Sequence, residues 1–245
     1  MAPDFLKDRQ IFLIFSRGYI VNFNIAHSEF PEQQGGLMIC GYEWGGDGAS
    51  EAGNSINNAA TCTFANKEVR YGPDALGWPY DNRIKKWFAM WGRSLDHENP
   101  GAFEKSIIQT NWCDTQNPRM NGDYTPLWKP KQIANFLNHI AHFSPSLILF
   151  MGSKLIEALQ SPSILEQFEA IVGKCTKPFK SKQKDFDGTR FKISFQTFER
   201  CEVACFPHPS ASRGLSDTYI DLYSDEMRDL LSNYESNRGS HPERK

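Results

Sequence analysis

The chain has 245 residues, a net charge of −2, and ordinary shares of hydrophobic (40%) and charged (23%) residues. This length is enough for one large domain with a full core. The near-neutral charge excludes an indiscriminate polycation, so any affinity for nucleic acid must come from local patches. The apolar run at residues 11–15 is too short to span a membrane and lacks a signal-peptide cleavage site. We therefore expect a cytoplasmic protein.

Five segments of the chain are predicted to form strands. Four apolar runs bounded by polar residues, glycine or proline are typical of buried strands: residues 37–41, 106–111, 147–152 and 203–206. Residues 191–198 alternate apolar and polar side chains, which predicts an edge strand or a strand buried on one side.

Between the strands lie segments with helical periodicity. Apolar residues recur at helical spacing in residues 80–95, 131–143 and 218–234, and a further helix is predicted from residue 154 to residue 159. Such alternation predicts an α/β fold, namely a three-layer α/β/α sandwich around a central, mainly parallel sheet of four to five strands.

The predicted organisation is a single domain over residues 1–235, with residues 1–35 as an N-terminal extension packed on it. The polar residues 236–245 are predicted to form a disordered tail. Residues 42–79 are predicted to form a long Gly- and Asn-rich loop, and loops of this length are commonly functional.

Six cysteines show no CxxC pair and no zinc-finger spacing, so we expect reduced structural cysteines, no metal and no cofactor. Cys201 and Cys205 are predicted to share one face of a strand. Small buried thiols of this kind are common in protein cores.

Three predicted strands end in chemically useful residues. The first runs into Gly41-Tyr42-Glu43-Trp44-Gly45, the second ends at Asn111, and the last leads into His208-Pro209-Ser210. Ligands in open α/β sheets bind at the carboxyl ends of strands. An acid, an amide and an imidazole are therefore expected at one edge of the sheet.

In order and placement, these motifs resemble those of the uracil-DNA glycosylase superfamily. Residues 41–45 are similar to its first motif, Asn111 to its base-reading asparagine, and residues 208–210 to its second motif. The helix, strand and Gly-Ser turn within residues 133–159 resemble the segment before the final strand, so the likeness covers about residues 36–223. The chain departs from the family in having Trp44 where the first motif has proline and in its longer segment at 48–64. The cluster-binding cysteines of the iron–sulfur branch are absent from the sequence.

The resemblance implies a monofunctional DNA glycosylase that flips a pyrimidine out of DNA and hydrolyses its N-glycosidic bond. Glu43 would orient the water and stabilise the cationic sugar, with Asp47 as the rival acid. At least one of these two carboxylates is expected only to cap a helix or bind loop amides. His208 would donate to the departing base. The alternative for His208 is a structural histidine before a proline turn.

Five further residues are assigned to the base. Asn111 would read its Watson–Crick edge, or else cap the following segment. Phe64 would stack on the ring, with Trp44 and Tyr42 as substitutes. Gly45 stands where the strict uracil-excising branch has a tyrosine that blocks carbon five of the ring. The resemblance therefore implies a pocket open to 5-modified pyrimidines.

The DNA backbone would be bound by residues at two strand ends: Gly152, Ser153, Lys154, Ser210, Ser212 and Arg213. Arg213 or Leu215 could instead fill the gap left by the flipped base. The lysine-rich segment 174–192 either follows a DNA strand or forms a solvated hairpin.

The function expected is excision of a 5-modified pyrimidine by a monomer whose partner is DNA, with defence against viral DNA as one setting. Three alternatives stay open: uracil excision in base excision repair, a non-catalytic binder of damaged DNA, and a small-molecule hydrolase.

Overall fold

The computed structural model describes residues 30–45, 62–117 and 122–239 and has an α/β fold. Its strands are β1 (Leu37–Gly41), β2 (Ile107–Asn111), β3 (Leu147–Met151), β4 (Cys175–Lys182), β5 (Ile193–Phe198) and β6 (Glu202–Phe206). Its helices are α1 (Thr63–Tyr71), α2 (Pro79–Met90), α3 (Ala102–Lys105), α4 (Pro130–Phe143), α5 (Ser153–Leu159), α6 (Pro162–Val172), α7 (Asp217–Asp221) and α8 (Ser224–Gly239). Short 3₁₀ turns occupy Pro31–Gln33, Pro73–Gly77 and Thr125–Trp128.

The six strands form one sheet in the order β2-β1-β3-β6-β5-β4. The first four in that order are parallel, whereas β5 and β4 run antiparallel to their neighbours. The mainly parallel α/β sandwich predicted from the sequence is confirmed, with β4 as an additional strand. Because β4 occupies the edge, the strand predicted at residues 191–198 is not itself an edge strand.

Helices cover both faces of the sheet. On one face, which we call the α4 side, strand residues such as Met38, Ile148 and Val203 pack against α4, α5 and α6. On the other, the α2 side, alternate residues such as Ile39 and Leu149 pack against α1, α2, α7 and α8. This alternation follows from the two-residue period of a strand, which sends successive side chains to opposite faces.

Proline and glycine mark several helix ends. Pro79, Pro130 and Pro162 occupy the first position of their helices, where the missing N–H costs no hydrogen bond. Helix α6 ends at Gly173, which has a φ of +87°. A Cβ atom there would lie 2.6 Å from the Cβ of Glu199, so both the conformation and the space require glycine.

Some predicted boundaries are wrong. The predicted loop at 42–79 contains α1. The basic segment 174–192 contains β4, which pairs with β5 in a hairpin, one of the two alternatives given for this segment. The prediction of a disordered tail is wrong for residues 236–239, which belong to α8. There Arg238 donates to the backbone oxygens of Glu32 (2.6 Å) and Gln34 (3.2 Å), and these bonds hold the helix end to the start of the described chain.

Five of the six free cysteines are buried, including the Cys201 and Cys205 predicted to be buried thiols, whereas Cys175 is half-buried. Cys201 and Cys205 both face the α4 side, as their spacing predicted. Burial raises the pKa of both thiols, to about 12 for Cys205, so both remain protonated at neutral pH.

Candidate functional site

The carboxyl ends of four parallel strands meet at one edge of the sheet, which we call the rim. Asn111 ends β2 and is paired in register with Gly41, which ends β1. Gly152 follows β3, and His208 lies two residues beyond β6. Because β1 and β3 lie between β2 and β6, the amide and the imidazole come from opposite flanks of this rim.

Asn111 and the segment after β1 are in direct contact. A Cβ atom on Gly41 would lie 2.3 Å from the side-chain amide of Asn111, so this close approach requires glycine. The Asn111 oxygen accepts from the indole Nε1 of Trp44 (3.2 Å), and its nitrogen donates to the Thr110 carbonyl (3.2 Å). The side chain is 7% exposed. It is therefore held in one orientation and keeps one N–H and one oxygen lone pair for a ligand.

Glu43 is held by residues that follow β2. Its Oε2 accepts from Thr115 Oγ1 (2.8 Å) and from Asn117 Nδ2 (2.6 Å). The backbone of Trp44 bonds Thr115 and Asn117 as well, so the two strand extensions run side by side. These contacts fix the direction of the carboxylate at the β1–β2 end of the rim.

The orientation of the His208 ring is set by its own turn. Nδ1 accepts from the backbone N–H groups of Ser210 (3.2 Å) and Ala211 (3.1 Å). The neutral ring must therefore carry its proton on Nε2, and this nitrogen has no hydrogen-bond partner in the described part of the chain. Burial lowers the pKa of His208, which favours the neutral form. The side chain thus presents an N–H donor without a charge.

Arg83 of α2 fastens both ends of the turn that follows His208. Its guanidinium donates to the carbonyl oxygens of Pro209 (2.7 Å) and Leu215 and to Oδ1 of Asp217 (2.8 Å). Lys86 and Trp87 also donate to Asp217. Burial raises the pKa of this carboxyl, but the three donors outweigh burial and lower it to about 2.

Tyr80, at the start of α2, lies near both the imidazole and the amide. Its ring lies 5.2 Å from that of His208, centroid to centroid. Its hydroxyl is 3.5 Å from the position that a Gly41 Cβ would occupy, beside the Asn111 amide. Burial, together with Asp81 and Cys40, raises the Tyr80 pKa well above its usual value, so the hydroxyl keeps its proton. Among the described residues this hydroxyl has no hydrogen-bond partner.

Beneath Tyr80 lies a buried polar cluster that sequence reasoning missed. Lys67 Nζ lies 2.7 and 2.6 Å from the two carboxylate oxygens of Asp81, and Gln109 donates to the same carboxylate (2.8 Å). Burial lowers the pKa of Lys67, and the attraction of Asp81 opposes this shift. The one sign of this cluster in the sequence was the two-residue spacing of Gln109 and Asn111. This spacing places both side chains on the α2 side of β2.

Two of the predicted base-stacking residues lie in the core. Tyr42 alternates to the α4 side, where its hydroxyl donates to the Asp123 carbonyl (2.7 Å) and its ring meets Tyr124. Phe64 is 2% exposed and packs in the α2-side core, with Lys85 over its ring. Both rings are therefore packed among core side chains of the described residues, and their stacking role stays a prediction. Trp44, half-buried beside Asn111, is the one predicted ring that lies at the rim.

The remaining predicted residues occupy the rim or lie outside the described residues. Gly45 is exposed, and no described atom comes within 4 Å of a Cβ placed there. Asp47 falls in the segment 46–61, outside the described residues. The predicted DNA-contacting residues follow β3 and β6. Ser153, Ser210 and Arg213 are exposed, whereas Gly152, Lys154 and Ser212 are half-buried. Lys154 is paired with Glu157 (2.6 Å).

Within the described ranges, no group of three or more His, Cys, Asp or Glu side chains could hold a metal ion. No helix there is both long and apolar enough to cross a membrane. Comparison of the chain with protein-family models and with curated proteins found no match.

Proposed function

We propose that this protein is a DNA glycosylase that flips a pyrimidine out of DNA and hydrolyses its N-glycosidic bond, leaving an abasic site. The observation that carries the proposal is the His208 side chain, a neutral N–H donor held at the same rim as Asn111, with Tyr80 near both. The resemblance of the motifs to the uracil-DNA glycosylase superfamily supports the same function.

Loss of the base requires stabilisation of negative charge on the leaving group. The bond between the base nitrogen and C1′ breaks, and the electron pair departs with the base. In the proposed reaction Nε2 of His208 donates to a carbonyl oxygen of the base, where this charge accumulates. An uncharged donor fixed in advance acts without reorganisation, and a site that excludes water increases its effect.

Recognition of the extruded base is assigned to Asn111 and two neighbouring rings. The amide keeps a donor and an acceptor for the edge of a pyrimidine. Tyr80 has a protonated hydroxyl close to that amide, and Trp44 supplies an aromatic face. Tyr80 and Trp44 thus take over the contacts that the sequence resemblance assigned to Phe64 and Tyr42.

A water oxygen bonds to C1′ and loses a proton as the abasic sugar forms. Glu43 is one candidate for orienting this water, because Thr115 and Asn117 hold its carboxylate in place. Asp47 is the other candidate. A carboxylate near C1′ also stabilises the positive charge that develops on the sugar.

The proposed substrate is a pyrimidine modified at carbon five, including those of viral DNA in a defence role. The argument is the space at Gly45, where a side chain that would exclude such substituents is missing. Uracil excision in repair is the competing substrate assignment.

The test is release of free base from oligonucleotides that carry uracil, thymine, 5-hydroxymethyluracil or glucosylated 5-hydroxymethylcytosine, measured by mass spectrometry alongside alkali-labile abasic sites. We expect release from a 5-modified substrate by the wild-type chain and loss of release in His208→Ala and Asn111→Ala. Comparison of Glu43→Gln with Asp47→Asn identifies the carboxylate.

His97→Gln is the matched control, because His97 precedes α3 and β2 and so lies towards the opposite edge of the sheet. Strict preference for uracil would overturn the substrate assignment. If no substrate releases base although DNA still binds, the protein is a non-catalytic DNA binder and the proposal of an enzyme is wrong. Absence of both base release and DNA binding would favour a small-molecule hydrolase.

A further inference from the structure

A second concave feature lies next to the His208 turn, between the tip of the β4–β5 hairpin and the segment 213–216. It is a cavity of about 260 Å³. The residues that line it include two aromatic residues, Phe186 and Phe191, and two arginines, Arg190 and Arg213. Typical pockets for drug-sized ligands measure roughly 300–1,000 Å³, so this cavity suits one small unit such as a single nucleotide.

The two guanidinium groups stand apart from the other arginines of the protein. Neither Arg190 nor Arg213 has a hydrogen bond or an ion pair with any described residue. Every other arginine whose side chain is described donates to a protein oxygen: Arg83, Arg93, Arg200, Arg228 and Arg238. Two arginines without an acceptor among the described residues therefore line the same cavity. The lining contains one carboxylate, Asp187, so positive charge predominates.

The hairpin wall of the cavity is held against α7 and α8. Tyr219 Oη donates to the Phe191 carbonyl (2.5 Å). Tyr223 Oη donates to the Lys182 carbonyl (3.0 Å) and accepts from the Lys184 N–H (3.0 Å). Both tyrosines are fully buried. This wall is therefore fixed before any ligand binds.

The opposite wall is continuous with the proposed catalytic turn. Arg83 binds the carbonyls of Pro209 and Leu215, which flank Arg213 and fix its segment relative to His208. Ser216 in the lining accepts from the Tyr219 N–H (3.0 Å), which leaves its own hydroxyl proton free to donate. An anion in the cavity would thus meet two guanidinium groups and one hydroxyl.

We propose that this cavity binds a phosphodiester of the DNA strand next to the extruded nucleotide, with the adjoining sugar or base against Phe186 and Phe191. This assignment rests on the proposed function. Planar guanidinium groups bind phosphate in a bidentate manner, and aromatic rings stack on bases without regard to sequence. The tip of the basic hairpin would thereby act as a second clamp on the DNA, beyond the serines that follow His208.

The test measures binding of a short fluorescent DNA duplex and of its single strand by anisotropy, between about 50 and 200 mM salt. The variants are Arg190→Gln, Arg213→Gln and the double variant. Arg228→Gln is the matched control, because Arg228 is half-exposed and already paired with Asp225. Each single variant should reduce the slope of log K against log salt by about 0.7–0.9, and the double variant by about twice that amount.

Unchanged melting temperatures are expected for the three cavity variants, because neither guanidinium has a partner in the part of the chain that the structure describes. Wild-type slope and affinity in the double variant would overturn the inference, even if the wild-type chain releases base. A slope that depends on both arginines, in a protein that releases no base, would support the cavity and refute the glycosylase. Binding of thymidine 5′-monophosphate as tight as that of the oligonucleotide would contradict a site for a DNA strand.

Discussion

The imidazole of His208 shows how a backbone turn selects a tautomer. Two amide N–H groups face Nδ1. Protonation of Nδ1 would remove its lone pair and point an N–H at these amides. The turn therefore opposes the charged ring, in the same direction as burial. A neutral donor suits a leaving group that develops negative charge. Its N–H can bind that charge, and before the reaction an uncharged ring does not attract other anions.

His208→Ala should lower kcat for base release by about 10²–10³-fold, the usual cost of removing one donor to a developing anion. In the wild-type chain kcat should stay constant from neutral pH down to about 6.5, the ordinary pKa of histidine, and fall only below it, because burial lowers the pKa. The measurement is single-turnover base release against pH. A fall that begins well above pH 6.5 would contradict the neutral donor.

Tyr80→Phe tests a hydroxyl that has no partner among the described residues. We expect kcat/KM to fall about 3- to 10-fold through loss of one hydrogen bond to the substrate, and the melting temperature to stay unchanged. Tyr234→Phe is the contrasting control, because its hydroxyl donates to Ser106 (2.7 Å) near the opposite edge of the sheet. It should lower stability and leave kcat/KM unchanged. If both variants lower stability equally, the Tyr80 hydroxyl has a structural role and is not part of the site.

At the scale of elements, the packing of α1 and α2 against β2 places an ion pair under the rim. Lys67 comes from α1, Asp81 from α2 and Gln109 from β2, and all three are buried. The Gln109 side-chain oxygen has no hydrogen-bond partner within the described ranges. Removing one member of a buried pair strands an uncompensated charge, whereas removing both can cost little.

Lys67→Met should therefore lower the free energy of unfolding by about 3–5 kcal/mol, and Lys67→Met with Asp81→Leu by clearly less. Urea denaturation measures both. The control is Lys131→Met, because Lys131 is 76% exposed in its pair with Asp114 and such pairs contribute about 0–1 kcal/mol. Additive losses in the double variant would mean that the two charges do not stabilise each other.

Elements differed in how well the sequence predicted them. The buried strands were predictable within one residue at most ends, because a continuous apolar run has few other uses in an α/β chain. Strand β4 was not predicted as a strand, because its lysines favour the interpretation of a loop. It forms because β5, the next strand along the chain, offers backbone partners in a hairpin, the arrangement that the sequence left open as one alternative for this segment. Helix α1 was hidden because its N-terminal residues are buried by contact with the sheet.

At the scale of the whole molecule, the segment from Pro209 to α7 is joined to α2 by charged groups. Asp217 accepts from Arg83, Lys86 and Trp87, and Arg83 also fastens the turn after His208. Protonation of this one carboxyl would weaken the attachment of the rim to α2. The protein is therefore expected to lose stability in acid through an identifiable group.

The pKa of Asp217 is about 2 in the folded chain, against roughly 3.9 when unfolded. A carboxyl whose pKa is lower in the folded than in the unfolded chain contributes its full stability at pH values above the unfolded pKa. This contribution is lost as the pH falls towards the folded pKa. We expect a contribution of roughly 1–2 kcal/mol, discounted for partial exposure, to disappear between about pH 5 and 2.

The check is unfolding free energy against pH for the wild type, Asp217→Asn and Asp225→Asn. The first variant should be less stable at neutral pH and flatter in acid. The second should follow the wild type, because Asp225 is 89% exposed. An equally steep acid dependence in Asp217→Asn would assign acid unfolding to other carboxyls.

The amino-acid sequence by itself determined the fold class, the strand ends that form the rim, and the placement of Asn111 and His208 there. These follow from local patterns, since apolar runs and parallel connections force carboxyl ends to one edge. The tertiary structure alone decided which face each neighbouring side chain takes. Tyr42 and Phe64 lie in the two cores. Tyr80 and the buried Lys67–Asp81 pair lie at or under the rim, although their helices are distant from the strand ends in sequence. Such choices depend on packing between elements, which no single segment encodes.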